Sequence, residues 1–213
     1  MAAAVAAAGL TVGGTLYAQA DTVNGSDCPD VDVSFARGTF ELSGVGIVGS
    51  PFAKALAADL PGKTVTTYAV DYAADAAQLS AGSGATDMSK HVTALAARCA
   101  NTRFVVGGYS QGATVTDIAI GVKTVLGSGT AIPASLAPRV AAVVTFGNPM
   151  RIVGQRPETA SPTFASRWDD FCSSGDPVCA GGANVVTHIT YAINGDADKG
   201  AKFAAEHVVT DKS

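Results

Sequence analysis

The stretch from Phe104 to Thr114, FVVGGYSQGAT, constrains this chain more than any other. An apolar, β-branched run leads into Gly108-Tyr109-Ser110-Gln111-Gly112, and residues of helical character follow. This is the G-x-S-x-G pattern in the context of a strand, a sharp turn and a helix. A serine on so tight a turn has strained backbone angles, and the chain before and after it passes very close. Gly108 and Gly112 remove the side chains that would collide there. The Ser110 hydroxyl is then lifted above the sheet edge at a helix N-terminus, where backbone N–H groups can stabilise an oxyanion.

A strand of this kind needs a sheet, and the rest of the chain supplies one. Extended runs are expected at Val31–Ala36, Thr64–Val70, Arg103–Gly107, Ala141–Phe146 and, as a short last strand, Arg167–Cys172. Helices are expected from about Val45 to Leu60, Thr86 to Ala100, Ser110 to about Leu126 and Asp198 to Val209. Ser80 to Ala85 reads as a Gly/Ser-rich loop, and Arg151 to Pro162 as a polar surface excursion. Strands alternating with helices at this spacing indicate an α/β fold with a parallel sheet covered on both faces. At 213 residues, with no repeat and no linker, the chain makes one domain, taken as residues 21–213.

Residues 1–20 carry no charge and end in Ala18-Gln19-Ala20, an A-x-A cleavage pattern before Asp21. They read as a secretory signal, incomplete at its N-terminus because no Lys or Arg precedes the apolar region. Gly9, Gly13 and Gly14 count against an alanine-rich structural helix, and too few residues are strongly apolar for a membrane anchor. A secreted protein is expected. The four cysteines agree with an oxidising compartment. Cys172 and Cys179 enclose Gly175-Asp176-Pro177, which favours a local bridge and leaves Cys28 with Cys99. No C-x-x-C pair exists and the histidines are scattered, so no metal is expected. A net charge of −4 without a basic cluster excludes a nucleic-acid or anionic-membrane footprint.

A serine hydroxyl needs a base, and the base needs an orienting group. Three histidines are available. His91 precedes the serine in a predicted helix and reads as solvated; His207 reads as a surface residue of the last helix. His188 follows the loop Gly181-Gly182-Ala183-Asn184 and suits a mobile catalytic position. In this architecture the acid lies between serine and histidine along the chain. Asp117 lies inside the helix, Asp169 and Asp170 within the last strand, and Glu158 in the polar excursion. Asp176 sits in a turn at the carboxyl end of that strand, where open α/β sheets place their sites, and is preferred.

These residues resemble the cutinases, especially the cutinase-like secreted esterases of actinobacteria. The resemblance is carried by Cys28-Pro29-Asp30; by Ala36-Arg37-Gly38-Thr39 with Glu41; by Gly108-Tyr109-Ser110-Gln111-Gly112; and by Gly175-Asp176-Pro177-Val178-Cys179 followed by His188. It implies a small, lidless, three-layer α/β-hydrolase with a five-stranded parallel sheet, working as a monomer without a cofactor. It implies a triad of Ser110, Asp176 and His188, and an oxyanion hole at the backbone N–H of Gln111 and at Thr39. Many family members carry serine at the position of Thr39, whose β-branched side chain is stiffer. Substrate contacts would fall on Leu79, Val185 and Val186, although the valines read almost equally well as core. Lipid-like or polyester esters are the expected substrates. Two alternatives are deacetylation of a polysaccharide such as xylan and a non-catalytic secreted binding protein.

Overall fold

The computed structural model describes residues 28–77 and 79–210; the expected secretory signal at residues 1–20 lies outside them. The extended runs form β1 (Val31–Ala36), β2 (Val65–Ala69), β3 (Arg103–Tyr109), β4 (Val140–Phe146) and β5 (Trp168–Phe171). They pair in the order β2-β1-β3-β4-β5, and every pairing is parallel. β3 is the central strand and is buried from Phe104 to Tyr109. A strand covered on both faces needs no polar alternation, which is why β3 and β4 read as continuous apolar runs.

Parallel strands require crossovers, and the helices that make them cover both faces of the sheet. On one face α1 (Gly46–Asp59) and α6 (Asp196–Thr210) lie against Phe35, Val105, Val144 and Phe146, through Phe52, Leu56, Ala201 and Ala204. On the other, α2 (Ala81–Arg98) and α3 (Gln111–Ala119) bring Met88, Val92, Leu95, Val115 and Ile118 against Phe104, Val106 and Val143. This is the expected three-layer α/β architecture. Both expected disulfides are present, Cys28–Cys99 with Cα atoms 5.5 Å apart and Cys172–Cys179 at 5.9 Å. Among the described residues no helix is long and apolar enough to cross a membrane.

The polar excursion after β4 contains a short α-helix, α4 (Pro157–Ala160). The structure corrects several local expectations. The stretch from Ala81 to Ala85 is not a loop but the first turn of α2. Gly82 belongs in that helix because Ser128 packs against it; a Cβ there would lie 1.9 Å from the Ser128 carbonyl oxygen. The helix after Ser110 stops at Ala119 rather than near Leu126, and Gly121, at φ +87°, turns the chain away. β3 continues two residues past Gly107, to Tyr109. His91 is not solvated: its ring stacks on Tyr68 at 3.6 Å, and Nε2 lies 3.0 Å from the buried carboxylate of Asp32.

Candidate active site

The carboxyl ends of the strands converge on Ser110, which begins the turn between β3 and α3. Its backbone is strained, at φ 56° and ψ −119°, as an elbow demands. The two glycines are sterically required. A Cβ on Gly108 would lie 2.0 Å from the Gly112 carbonyl oxygen, and one on Gly112 would lie 2.0 Å from that of Ala36. With those side chains absent, α3 leaves β3 directly and Ser110 stands at its N-cap.

His188 reaches this serine from the far side. It lies on the short helix α5 (Val185–Ile189), whose start is capped by the Asn184 side chain accepting from the Val186 N–H. The loop expected at Gly181 to Asn184 leads into this turn of helix, which carries His188. The imidazole is held at both nitrogens, with Nε2 2.9 Å from Ser110 Oγ and Nδ1 2.8 Å from Asp176 Oδ2. Asp176 is fully buried in the turn closed by Cys172–Cys179, and the Val178 N–H donates to its Oδ1 at 2.7 Å. Two of the other acid candidates are engaged elsewhere. Asp170 pairs with Arg151 at 2.6 Å, and Asp117 accepts from the Asn148 side chain at 3.1 Å. Burial, reinforced by the negative charge of Asp170, pushes the Asp117 carboxyl well above the ordinary carboxylate range.

Three further residues shape the site without having been singled out by sequence reasoning. The Tyr109 ring lies 5.0 Å from that of His188, and its hydroxyl donates to the His188 carbonyl at 2.8 Å. Tyr191, fully buried, donates its hydroxyl to Asp176 Oδ2 at 2.6 Å. Gly147, at φ +57°, leaves the space the imidazole occupies; a Cβ there would lie 2.8 Å from His188 Cε1. Burial pushes the phenols of both tyrosines up. Tyr109 immediately precedes the serine on β3, whereas Gly147 and Tyr191 come from distant parts of the chain, and no spacing rule connects those two to it.

Thr39 approaches the residue after Ser110, with its Oγ1 3.4 Å from Gln111 Oε1. The segment carrying Thr39 is rigidly framed. Arg37, buried after β1, donates through Nε to the Glu41 carbonyl at 2.9 Å and through Nη2 to the Tyr72 carbonyl at 2.6 Å. The Glu41 carboxylate accepts the N–H groups of Gly38 and Ile47. Phe40, at φ 64°, donates its N–H to the carbonyl of Ala74, itself at φ 50°. The only non-glycine residues with positive φ among those described are thus the serine and this pair beside Thr39. Leu79, Val185 and Val186 are exposed, so the valines are not core.

Comparison with known proteins decides the family. The cutinase profile matches residues 27–208. The chain belongs to the cutinase family. Its curated relatives include a cutinase, carboxylesterases and a phospholipase, and the chain is accordingly a carboxylic ester hydrolase. A cutinase from Kineococcus radiotolerans is 55% identical over 180 residues, which cover 84% of this chain and 61% of that protein. The carboxylesterase Culp1 of Mycobacterium tuberculosis is 39% identical over 188 residues, covering 85% of this chain and 82% of that one. A solved acetyl xylan esterase is 26% identical, with a TM-score of 0.73, and the match covers 85% of this chain and 99% of that one. The fold is therefore that of a small α/β-hydrolase.

Proposed function

We propose that this chain is a secreted, monomeric serine carboxylic-ester hydrolase acting through Ser110, His188 and Asp176. The continuous hydrogen-bonded line from Ser110 Oγ through His188 to Asp176 carries this reading. His188 Nε2 takes the proton as Ser110 Oγ attacks the ester carbonyl, while Asp176 holds the tautomer and offsets the imidazolium charge. The oxyanion develops toward the N-terminus of α3, where the Gln111 N–H and the Thr39 N–H and hydroxyl receive it. His188 then protonates the leaving alcohol, and water repeats the sequence on the acyl-enzyme. The two disulfides fit an extracellular setting.

Lipid-like or polyester substrates follow from the rim. Phe40 and Leu42 after β1, Leu79 after β2, and Val185, Val186 and Ile189 after β5 are all exposed on connections that leave the carboxyl ends of the strands, the end of the sheet at which Ser110 lies. Apolar side chains concentrated there suit an acyl chain or an insoluble ester surface. Polysaccharide deacetylation is the second reading, favoured by the likeness to acetyl xylan esterase. Against it, the single tryptophan, Trp168, is buried and donates to Thr145, leaving no indole to stack on sugar. Rates on p-nitrophenyl esters of increasing chain length, an insoluble polyester and acetylated xylan distinguish the readings. A preference for the acetylated polysaccharide over butyrate and longer acyl esters would overturn the lipid reading.

A further inference from the structure

We infer that Tyr191 is a positioning residue that shares Asp176 with His188 and thereby sets how readily the imidazole gives up its proton. The inference rests on the proposed roles of Ser110, His188 and Asp176. Two donors converge on one carboxylate oxygen: His188 Nδ1 at 2.8 Å and the Tyr191 hydroxyl at 2.6 Å, both on Oδ2. The direction of the phenolic hydrogen is fixed by its surroundings. The Ser173 N–H donates to the Tyr191 oxygen at 2.9 Å, so that contact cannot also take the hydroxyl hydrogen. The Cys179 sulfur, 3.5 Å away, is half of a disulfide and a weak acceptor. The carboxylate is the remaining partner, and burial keeps the phenol protonated.

The ring is fixed as firmly as its hydroxyl. Tyr191 is fully buried, with Phe146 and Tyr109 each 6.1 Å away and the His188 ring edge-on at 6.3 Å. A donor fixed this way does two things. It pins Oδ2, while the Val178 N–H pins Oδ1, so the carboxylate cannot rotate away from the imidazole. It also draws off negative charge that would otherwise stabilise an imidazolium in the resting enzyme. The imidazole is thereby held with Nε2 on the serine hydroxyl, placed to accept its proton.

The other groups facing His188 are Ser110 and Tyr109 from β3 and its turn; Glu41, after β1, is the further carboxylate whose field reaches Tyr109. None of them is altered by Tyr191→Phe, which keeps the ring and removes only the hydroxyl. With Oδ2 left to His188 alone, the acid limb of kcat/KM on p-nitrophenyl butyrate should move to higher pH by about half a unit. The plateau kcat should fall by about tenfold through a looser carboxylate, with KM little changed. A merely structural tyrosine would lower the melting temperature without moving the acid limb.

Site-specific 3-fluorotyrosine at position 191 supplies the complementary arm: a more acidic phenol is a stronger donor, so the acid limb should move to lower pH. This arm also decides the matter if Tyr191→Phe does not fold. Acid limbs that coincide with wild type in every folded variant overturn the inference. His188→Ala, measured alongside, separates the two levels. If it is inactive while the limbs stay put, only the role of Tyr191 falls; if it is active, the triad falls and this inference with it.

Discussion

Replacing Gly147 by alanine tests whether the position of His188 is what the site depends on. The added Cβ would lie 2.8 Å from His188 Cε1, 2.9 Å from Nδ1 and 3.1 Å from Tyr191 Cε2. Carbon atoms in contact sit about 3.5 Å apart, so the imidazole must retreat by roughly 0.7 Å. The retreat pulls on hydrogen bonds of 2.9 Å to Ser110 and 2.8 Å to Asp176, neither of which has slack. A misplacement near 1 Å costs about 100-fold in rate, so kcat should fall roughly 10- to 100-fold with KM little changed. Holding alanine at φ +57° should cost a further 1–2 kcal/mol or so of stability. Steady-state kinetics on p-nitrophenyl butyrate, beside thermal melts followed by circular dichroism, read both quantities. A folded Gly147→Ala protein with wild-type kcat would refute the reasoning.

Two other perturbations separate stability from catalysis. Cys28–Cys99 joins residues 71 apart and Cys172–Cys179 residues 7 apart, which in the chain-entropy model is worth about 4 and 2.5 kcal/mol. Cys28→Ser/Cys99→Ser should therefore mainly lower the melting temperature. Cys172→Ser/Cys179→Ser, which frees the turn holding Asp176, should mainly lower kcat while folded; normal turnover in the second variant would make that bridge a staple only. For Asp117, burial raises the folded carboxyl above its unfolded value, so its contribution is complete below about pH 3.9 and lost as pH rises toward the folded value. Asp117→Asn should remove up to about 1.4 kcal/mol of that loss per pH unit, so the variant gains on wild type in urea melts as pH rises from about 4. Identical pH dependence in the two proteins would contradict this.

What the sequence reveals and what it hides divide along a physical line. β3 and its elbow are legible because an apolar run, two sterically required glycines and a serine occupy consecutive positions. Asp176 and His188 are singled out as candidates by chain order and by the turn that holds the acid. The start of α2 is hidden because Gly82 and Gly84 suggest a loop until the segment at 127–129 is seen packed against that turn. The environment of His91 depends on Asp32, 59 residues earlier, and that of Asp176 on Tyr191, 15 residues later across a turn and a helix. Contacts of that kind follow from strand order and register, which no local pattern specifies.

The central claim is that Ser110 is the nucleophile. Titrating the protein with a p-nitrophenyl alkylphosphonate, while following residual esterase activity and locating the adduct by peptide mass spectrometry, tests it directly. Activity should fall in proportion to the label, to zero at one equivalent, with the adduct on Ser110 and none formed on Ser110→Ala. Full activity with Ser110 completely labelled, or activity retained by purified Ser110→Ala, would contradict the account.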